Sequence, residues 1–490
     1  MSQAEAQRLP DAWRLVRKVL KWLGFTILGL CGVACLLFAV AFVINLRDEP
    51  LTPQTRALLT PAPNPYGPED NIYVALAGLH APIGATVIAD GEARVEAHNR
   101  RVDAYQSHPS QRALDALIHE PEDPRQLQFQ GDCHFLEPLN GSIWSAALEH
   151  REEVDRLLAE NRELYQRYLE LSGLHGYYET ARPSLLLMNL RWPSQLRPLF
   201  LAVVALRMRS GIPDEQKSGL TDLERDVQLW RTVLTGEGSM LSSMLSTAFL
   251  QEDYLVLADM IADGRLRLPP GATEGDVVAP VFDLRDWDLS RSLVAGFRVM
   301  SSALRTDVAV GAGAPADWQR PAVSGWLTQL DDRLGDHFLK VNATLNLSAR
   351  ETERRMVAAA DPAQLYRMKA ERGVFAEGQS AWTLPLSYNP VGKILTAVSA
   401  PVYDDYSLRA WDAAALQKLV RLSYEIRRQR IEPSAVPAFL RQHPEWSTHP
   451  ADGRPFLWNP AKNELRVQTV GKQQPGRRFS VPIWRSPAQR

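Results

Sequence analysis

The chain has 490 residues, with 55 basic against 57 acidic side chains and a net charge of −2. Its 45% hydrophobic and 23% charged content gives it enough apolar surface to fold, which excludes a disordered polyelectrolyte. The near-neutral balance also excludes the basic footprint of a nucleic-acid-binding protein, so no nucleic acid is expected as a partner.

Residues 1–22 read as a tail that carries Arg8, Arg14, Arg17, Lys18 and Lys21 against Glu5 and Asp11. From Leu23 to Ile44 there follow 22 consecutive uncharged residues. At 1.5 Å per residue that helix spans about 33 Å, enough for a hydrocarbon core of about 30 Å. The pattern predicts a transmembrane helix over 23–45, with Trp22 and Asn45 at its two boundaries, so the lipid bilayer is the first expected partner. A signal peptide would have a shorter apolar core and a small-residue cleavage site; this run reads as a retained anchor. The basic excess before it, against Arg47, Asp48 and Glu49 after it, places the N-terminus in the cytoplasm and the rest of the chain outside. Cys31, Cys35 and Ala39 recur at i, i+4 and i+8, a small-residue stripe that offers a face to a second copy or simply faces lipid.

Cys133 is the only cysteine beyond the anchor, so no intrachain disulfide staples the remaining domain. In Asp132-Cys133-His134 the thiol sits beside a base, yet adjacent residues of a strand point to opposite faces, and an inert buried thiol is the plainer reading. Only nine of the 55 basic residues are lysine, a bias toward arginine that points to a GC-rich bacterial genome and hence to a periplasmic ectodomain.

Six prolines between Pro50 and Pro68 make residues 46–70 a stiff extended spacer. Asn71-Ile72-Tyr73-Val74-Ala75-Leu76 reads as a short strand or buried extended run, and residues 84–105 have helical spacing. Over 146–171 a heptad pattern places Val154, Asn161 and Tyr168 at a positions and Leu157, Leu164 and Leu171 at d positions. Leu158 and Tyr165 widen that stripe to the face a globular helix buries, which favours an intramolecular bundle over a coiled-coil dimer. Helices are expected over 196–208, over 221–234 with a Thr221/Glu224 capping box, and over 239–262 with a stop at Asp263-Gly264. The helices have unequal lengths and no fixed period, so a bundle and a solenoid-like stack both stay open. Turn-rich loops at 268–275 and 310–315 read as internal boundaries. Further helices are expected over 289–304, 323–345, 349–370 and 412–431, the last with Arg421, Arg427, Arg428 and Arg430 toward water. Short alternating runs at 456–458, 464–470 and 479–483 predict a β-hairpin or three-stranded cap. The expected fold class is mainly α: one N-terminal transmembrane helix, a helical ectodomain in two parts (71–265 and 280–450), and a small β cap with a basic tail over 451–490.

Motifs that carry chemistry are near misses. Gly378-Gln379-Ser380-Ala381-Trp382 has Trp where a nucleophile elbow needs glycine. Val391-Gly392-Lys393-Ile394 lacks the upstream glycine and the hydroxyl residue of a phosphate-cradling loop. The ten histidines form neither an H-E-x-x-H motif nor a zinc-spaced cluster. Asp331, Asp332, Asp336 and His337 are the densest ligand-type group, and an exposed acidic helix face is their plainer reading. The sequons at Asn140 and Asn342 carry no meaning in a bacterial periplasm. No catalytic, cofactor-binding or metal-binding residue is assigned.

Asn71-Ile72-Tyr73 through Gly91, Tyr388-Asn389-Pro390-Val391-Gly392-Lys393 through Tyr406, and Pro450 through Trp458 resemble elements of uncharacterised Gram-negative membrane-anchored envelope proteins. These stretches cover under a fifth of the chain; the resemblance implies an envelope setting and transfers no activity. The expected function is that of a bitopic inner-membrane protein whose periplasmic helical domain acts as a protein-binding scaffold, assembly factor or secretion accessory for an envelope protein partner. An envelope hydrolase with a site assembled from distant residues is the alternative.

Overall fold

The computed structural model describes residues 3–108, 110–119, 123–136, 142–184, 186–264, 287–313, 337–371, 387–471 and 478–484. Of the described residues 67% are helical, in 16 α-helices, and one three-stranded antiparallel sheet lies near the C-terminus. It divides into two compact units, each built from separated stretches: Met1–Thr52 with Arg320–Leu347 and Gly373–Val398, and Pro53–Gln319 with Ser348–Arg372 and Ser399–Arg490.

The first unit is organised around α1 (Gln3–Ile44). Its stretch Leu20–Ile44 has a mean hydropathy of 2.9 and is only 6% buried; among the described residues no other helix is long and apolar enough to cross a membrane. Its Leu, Phe and Val side chains are packed against little other protein and give the helix an apolar surface all round. Asn45, directly past that stretch, donates from Nδ2 to the carbonyls of Ala41 (2.9 Å) and Ser387 (3.1 Å), and its Oδ1 accepts the Asn389 N–H (2.7 Å). The Asp48 carboxylate accepts the N–H groups of Asn342 (2.7 Å) and Ala343 (3.1 Å), in the first turn of α13 (Val341–Ala359). An anion there satisfies orphan donors and complements the helix dipole. Asn346 continues the seam, donating to Glu49 and to the Pro50 carbonyl while accepting the Thr52 N–H. The chain that leaves the apolar helix is thus held through its own Asn45 and Asp48 side chains to downstream backbone and through the downstream Asn346 side chain.

The second unit opens with α2 (Pro53–Leu59), which lies within the segment read as an extended spacer. Residues 71–76, read as a strand or extended run, form α3 (Ile72–Gly78) instead. Every residue of α3 is buried, so the apolar run has no polar face to reveal a helical period, and the helix start is set by Asn71, whose Oδ1 accepts the Tyr73 N–H (3.0 Å). Helix α4 (Val87–Ser107) crosses α3 closely: a Cβ on Gly91 would lie 2.0 Å from the Val74 carbonyl oxygen. After α5 (Gln111–Ile118), the heptad stretch resolves into α6 (Ile143–Glu149), α7 (Arg151–Glu160) and α8 (Arg162–Leu171). Asn161 is not a dimer-register residue: it sits between α7 and α8, and its side chain accepts the Gln130 N–H (2.8 Å) and donates to the Gln130 carbonyl (2.9 Å) of the same chain.

Helices α9 (Leu196–Arg209), α10 (Pro213–Thr235) and α11 (Met240–Asp263) pack in sequence. The Thr221/Glu224 capping box falls inside α10, because Pro213 at the start and Asp214 and Glu215 in the first turn begin that helix eight residues earlier. The expected stop at 263–264 holds, with Gly264 at φ 72° closing α11. Helix α12 (Ser290–Gly313) runs through residues 310–313 of the expected second loop, while the loop at 268–275 lies outside the described residues. Asp361 separates α13 from α14 (Pro362–Glu371), and the helix expected over 412–431 is the end of the 39-residue α15 (Pro390–Arg428). Two of its arginines are not simply solvated: Arg421 lies over the Trp446 ring (5.2 Å) and Arg427 donates to the Ile483 carbonyl (3.4 Å).

After α16 (Val436–Gln442) come β1 (Leu457–Asn459), β2 (Glu464–Gln468) and β3 (Arg478–Pro482) in the order β1-β2-β3. Leu465 pairs with Val481 and Val467 with Phe479, and this alternation buries all four on one face. Asp412, fully buried on α15, accepts from the N–H groups of Val470 (2.8 Å) and Gly471 (3.0 Å) and bonds His449 Nε2 (3.0 Å).

Candidate functional site

Two polar features stand out in the second unit, and they differ in access. The first is the fully buried Arg197 of α9. Its guanidinium donates to Tyr168 Oη (2.9 Å), to Asp253 Oδ1 (2.7 Å), to the Phe249 carbonyl (2.9 Å), to Glu252 (3.3 Å) and to Asp226. Tyr168 in turn donates to Asp226 (2.5 Å) and accepts the Trp230 indole N–H (3.1 Å). The Phe249 ring, 4.5 Å from the guanidinium carbon, adds a cation–π face. Burial pushes the Asp253 carboxyl well above the usual carboxylate range, with Arg197 pulling the other way, and raises Glu252 by the same cause. Side chains from α8, α9, α10 and α11 converge here around a fully buried guanidinium, with Glu252 partly exposed at the edge, so the cluster locks four helices together.

The second feature is an open cleft. One lobe, of about 200 Å³, is walled by the extended segment 178–183, by Leu187 and Met188, and by Ala295, Arg298 and Val299 of α12. The other, of about 370 Å³, continues past Arg182, Pro183 and Arg298 to Asp103, Gln106, Ser302 and Arg305. The segment is held extended because its backbone groups are used: Glu179 N–H donates to the Glu237 carbonyl (2.8 Å), Asn99 donates to the Thr180 carbonyl (3.1 Å), and Asn99 Oδ1 accepts the Arg182 N–H (2.7 Å). Glu179 accepts the Ser239 N–H (2.6 Å) at the start of α11, and burial raises its carboxyl above the ordinary value despite that bond. Arg298 donates to the carbonyls of Leu58 (2.9 Å) and Thr60 (3.0 Å), which ties α2 to the rim. Arg182 pairs with Asp103 (3.3 Å); Arg305 is exposed and has no acidic partner among the described residues.

The two lobes differ in what they offer a ligand. Three arginines gather in the outer lobe against the single carboxylate of Asp103, and planar guanidinium groups suit carboxylates. The inner lobe offers Leu187, Met188, Ala295 and Val299 to an apolar group. Neither lobe is lined by cysteine or histidine. Ser239 lines the inner lobe beside Glu179, which accepts from both Ser239 and Ser242; the Ser242 hydroxyl is 1% exposed and accepts from Tyr177 Oη (2.8 Å).

The residues singled out from sequence do not meet here. Cys133 is buried, its thiol pushed up to about 12 by burial, with Asp132 adding to the shift; it is not an activated nucleophile. Cys31, Cys35 and Ala39 are all exposed along α1. Lys393 falls in the first turns of α15, and Asn342 lies in α13. Ser380 and the aspartates 331, 332 and 336 lie outside the described residues, whereas His337 stacks on Phe42 at 3.8 Å between ring centroids. Among the described residues no group of histidine, cysteine or carboxylate side chains could hold a metal ion. Sequence reasoning missed the cleft arginines and the Arg197 cluster. The one available signal was charge on otherwise apolar helix faces, as in Leu196-Arg197-Pro198-Leu199-Phe200 and Leu250-Gln251-Glu252-Asp253-Tyr254. Comparison with protein-family models, with curated proteins and with solved structures finds no match for this chain.

Proposed function

We propose that this is a single-pass protein of a bacterial inner membrane, anchored by α1 with its N-terminus in the cytoplasm. Its periplasmic helical body serves as a binding scaffold or accessory factor for an envelope protein. The cleft takes an extended, carboxylate-bearing segment of that partner, its anionic group against Arg182, Arg298 and Arg305 and an apolar side chain toward Met188 and Val299. The observation that supports the reading is the outer lobe's excess of arginine next to an inner lobe with an apolar wall. The uncharged run of α1 and its basic N-terminal flank support the anchor and its orientation.

Photocrosslinking in intact cells tests the cleft, with benzoylphenylalanine carried at position 187, where Leu187 is exposed. The expected result is a protein adduct that Arg305→Glu abolishes without changing the far-UV spectrum or melting of the chain. An adduct indifferent to Arg305→Glu refutes the carboxylate clamp, and covalent capture of a cleft serine by a fluorophosphonate would favour the hydrolase reading. A reporter fused after Arg490 that functions only in the cytoplasm would overturn the orientation.

A further inference from the structure

We propose that the first turns of α15 lie on the bilayer surface beside the anchor, with Ile394, Leu395 and Val398 inserted among lipid acyl chains. The proposal rests on the reading of α1 as a membrane anchor. These three side chains are 44%, 43% and 70% exposed. At 100° per residue, positions 394, 395 and 398 fall within one arc of about 100°, the width of an interfacial helix face. Lys393 stands on the adjoining turn, where a lysine stem can follow apolar surface while its ammonium reaches phosphates.

The place of this face follows from what its helix is tied to. Asn45 is the first residue past the apolar stretch of α1, and it bonds Ser387 and Asn389 immediately before α15 begins at Pro390. The joint is tight: Asn389 is buried in the left-handed region at φ 54°, its Oδ1 accepts the Lys340 N–H (2.9 Å), and its Nδ2 donates to Thr344 (3.0 Å). A Cβ on Gly392 would lie 2.0 Å from Thr344 Oγ1, so the Thr344 side chain of α13 packs directly on the α15 backbone at this level. Helix α15 therefore starts where α1 leaves the hydrocarbon.

Neighbouring residues reach deeper still. His337 Nε2 lies 2.9 Å from the Phe42 carbonyl, and Phe338 meets Phe38 edge-on at 6.0 Å between centroids. Phe38 is six residues inside the end of the apolar stretch, about 9 Å at 1.5 Å per residue. The polypeptide packed around the exit of α1 thus already lies at the depth of the acyl chains, and an exposed apolar face on the same joint meets lipid before it meets water. Ala41, alone among the residues from Leu20 to Ile44, is buried, as expected where this collar covers the anchor.

The test uses the full chain in nanodiscs of phosphatidylethanolamine and phosphatidylglycerol, with benzoylphenylalanine at position 398 or at position 38, and reads adducts by mass spectrometry. The expected result is a lipid adduct at 398 in yield comparable to that at 38. Lipid adducts at 38 with none at 398, or a crosslink from 398 to a second copy or another protein, would overturn the interfacial face while leaving the anchor intact. Absence of lipid adducts at both positions would overturn the anchor itself.

Discussion

Replacing Arg197 by alanine removes the cation that pairs with Asp226, Asp253 and Glu252 while leaving those carboxylates inside the packing of α8 to α11. Breaking a buried ion network by deleting one partner costs about 3–5 kcal/mol, roughly two to three and a half orders of magnitude in the unfolding equilibrium. Arg197→Lys keeps the charge but loses the planar fork that reaches five acceptors at once, so a smaller loss of about 1–3 kcal/mol is expected. The pH dependence separates this account from simple loss of packing. The folded-state pKa of Asp253 and of Glu252 lies above its unfolded value, so the folded state binds the proton more tightly. Stability from these groups is fully present below the ordinary carboxylate pKa of about 4 and is lost as pH rises through the raised folded values. Without Arg197 those values rise further, so the penalty of Arg197→Ala is largest near about pH 8 and shrinks toward about pH 5. Urea unfolding of the full chain in detergent, followed by far-UV circular dichroism at both pH values, measures it. A loss under about 1 kcal/mol, or an equal loss at both pH values, would refute the assignment of Arg197 as the buried counter-ion.

Gly91→Ala drives a Cβ into the Val74 carbonyl across the α3–α4 crossing, and overpacking of that kind costs about 1–3 kcal/mol, read as a lowered unfolding midpoint; an unchanged midpoint would mean the crossing is looser than described. Cys133, buried with a thiol near 12, should resist N-ethylmaleimide at neutral pH and react fully once urea unfolds the chain, whereas rapid native labelling of its tryptic peptide would contradict that burial. Asp412→Asn turns an acceptor of two backbone N–H groups partly into a donor and should cost about 1–3 kcal/mol, seen as earlier proteolytic release of the strands after residue 450; protection equal to the parent chain would show that the sheet is held by its apolar face alone.

Elements with two distinguishable faces were legible from sequence. Helix α4 and the three terminal strands show periods of 3.6 or 2 because each has a wet side, and local chemistry marks ends such as Gly264, which closes the largely buried α11. Where both faces are buried the period vanishes, and α3 was therefore misread as extended. Proline misled in the opposite direction: Pro53 begins α2, where its fixed φ suits a first turn, so proline density alone did not mean an extended spacer. The cleft was illegible for a different reason. Asp103, Arg182, Arg298 and Arg305 come from three separate stretches of chain, and only the packing of the second unit places them around one concavity.

Asn45 shows how far a local reading reaches. An amide at the end of an apolar run reads as a boundary marker, and α1 does end at Ile44. Yet its bonds go to residues 342 and 344 positions away, and Asp48, Glu49 and Pro50 repeat the pattern against α13. A flexible tether would leave these groups to water, since exposed polar side chains pay conformational entropy for any fixed geometry. Asn45 is buried together with Asn346 and Asn389, which makes the apolar helix and the chain leaving it parts of one folded unit. Excising α1 would then remove a structural element of that unit.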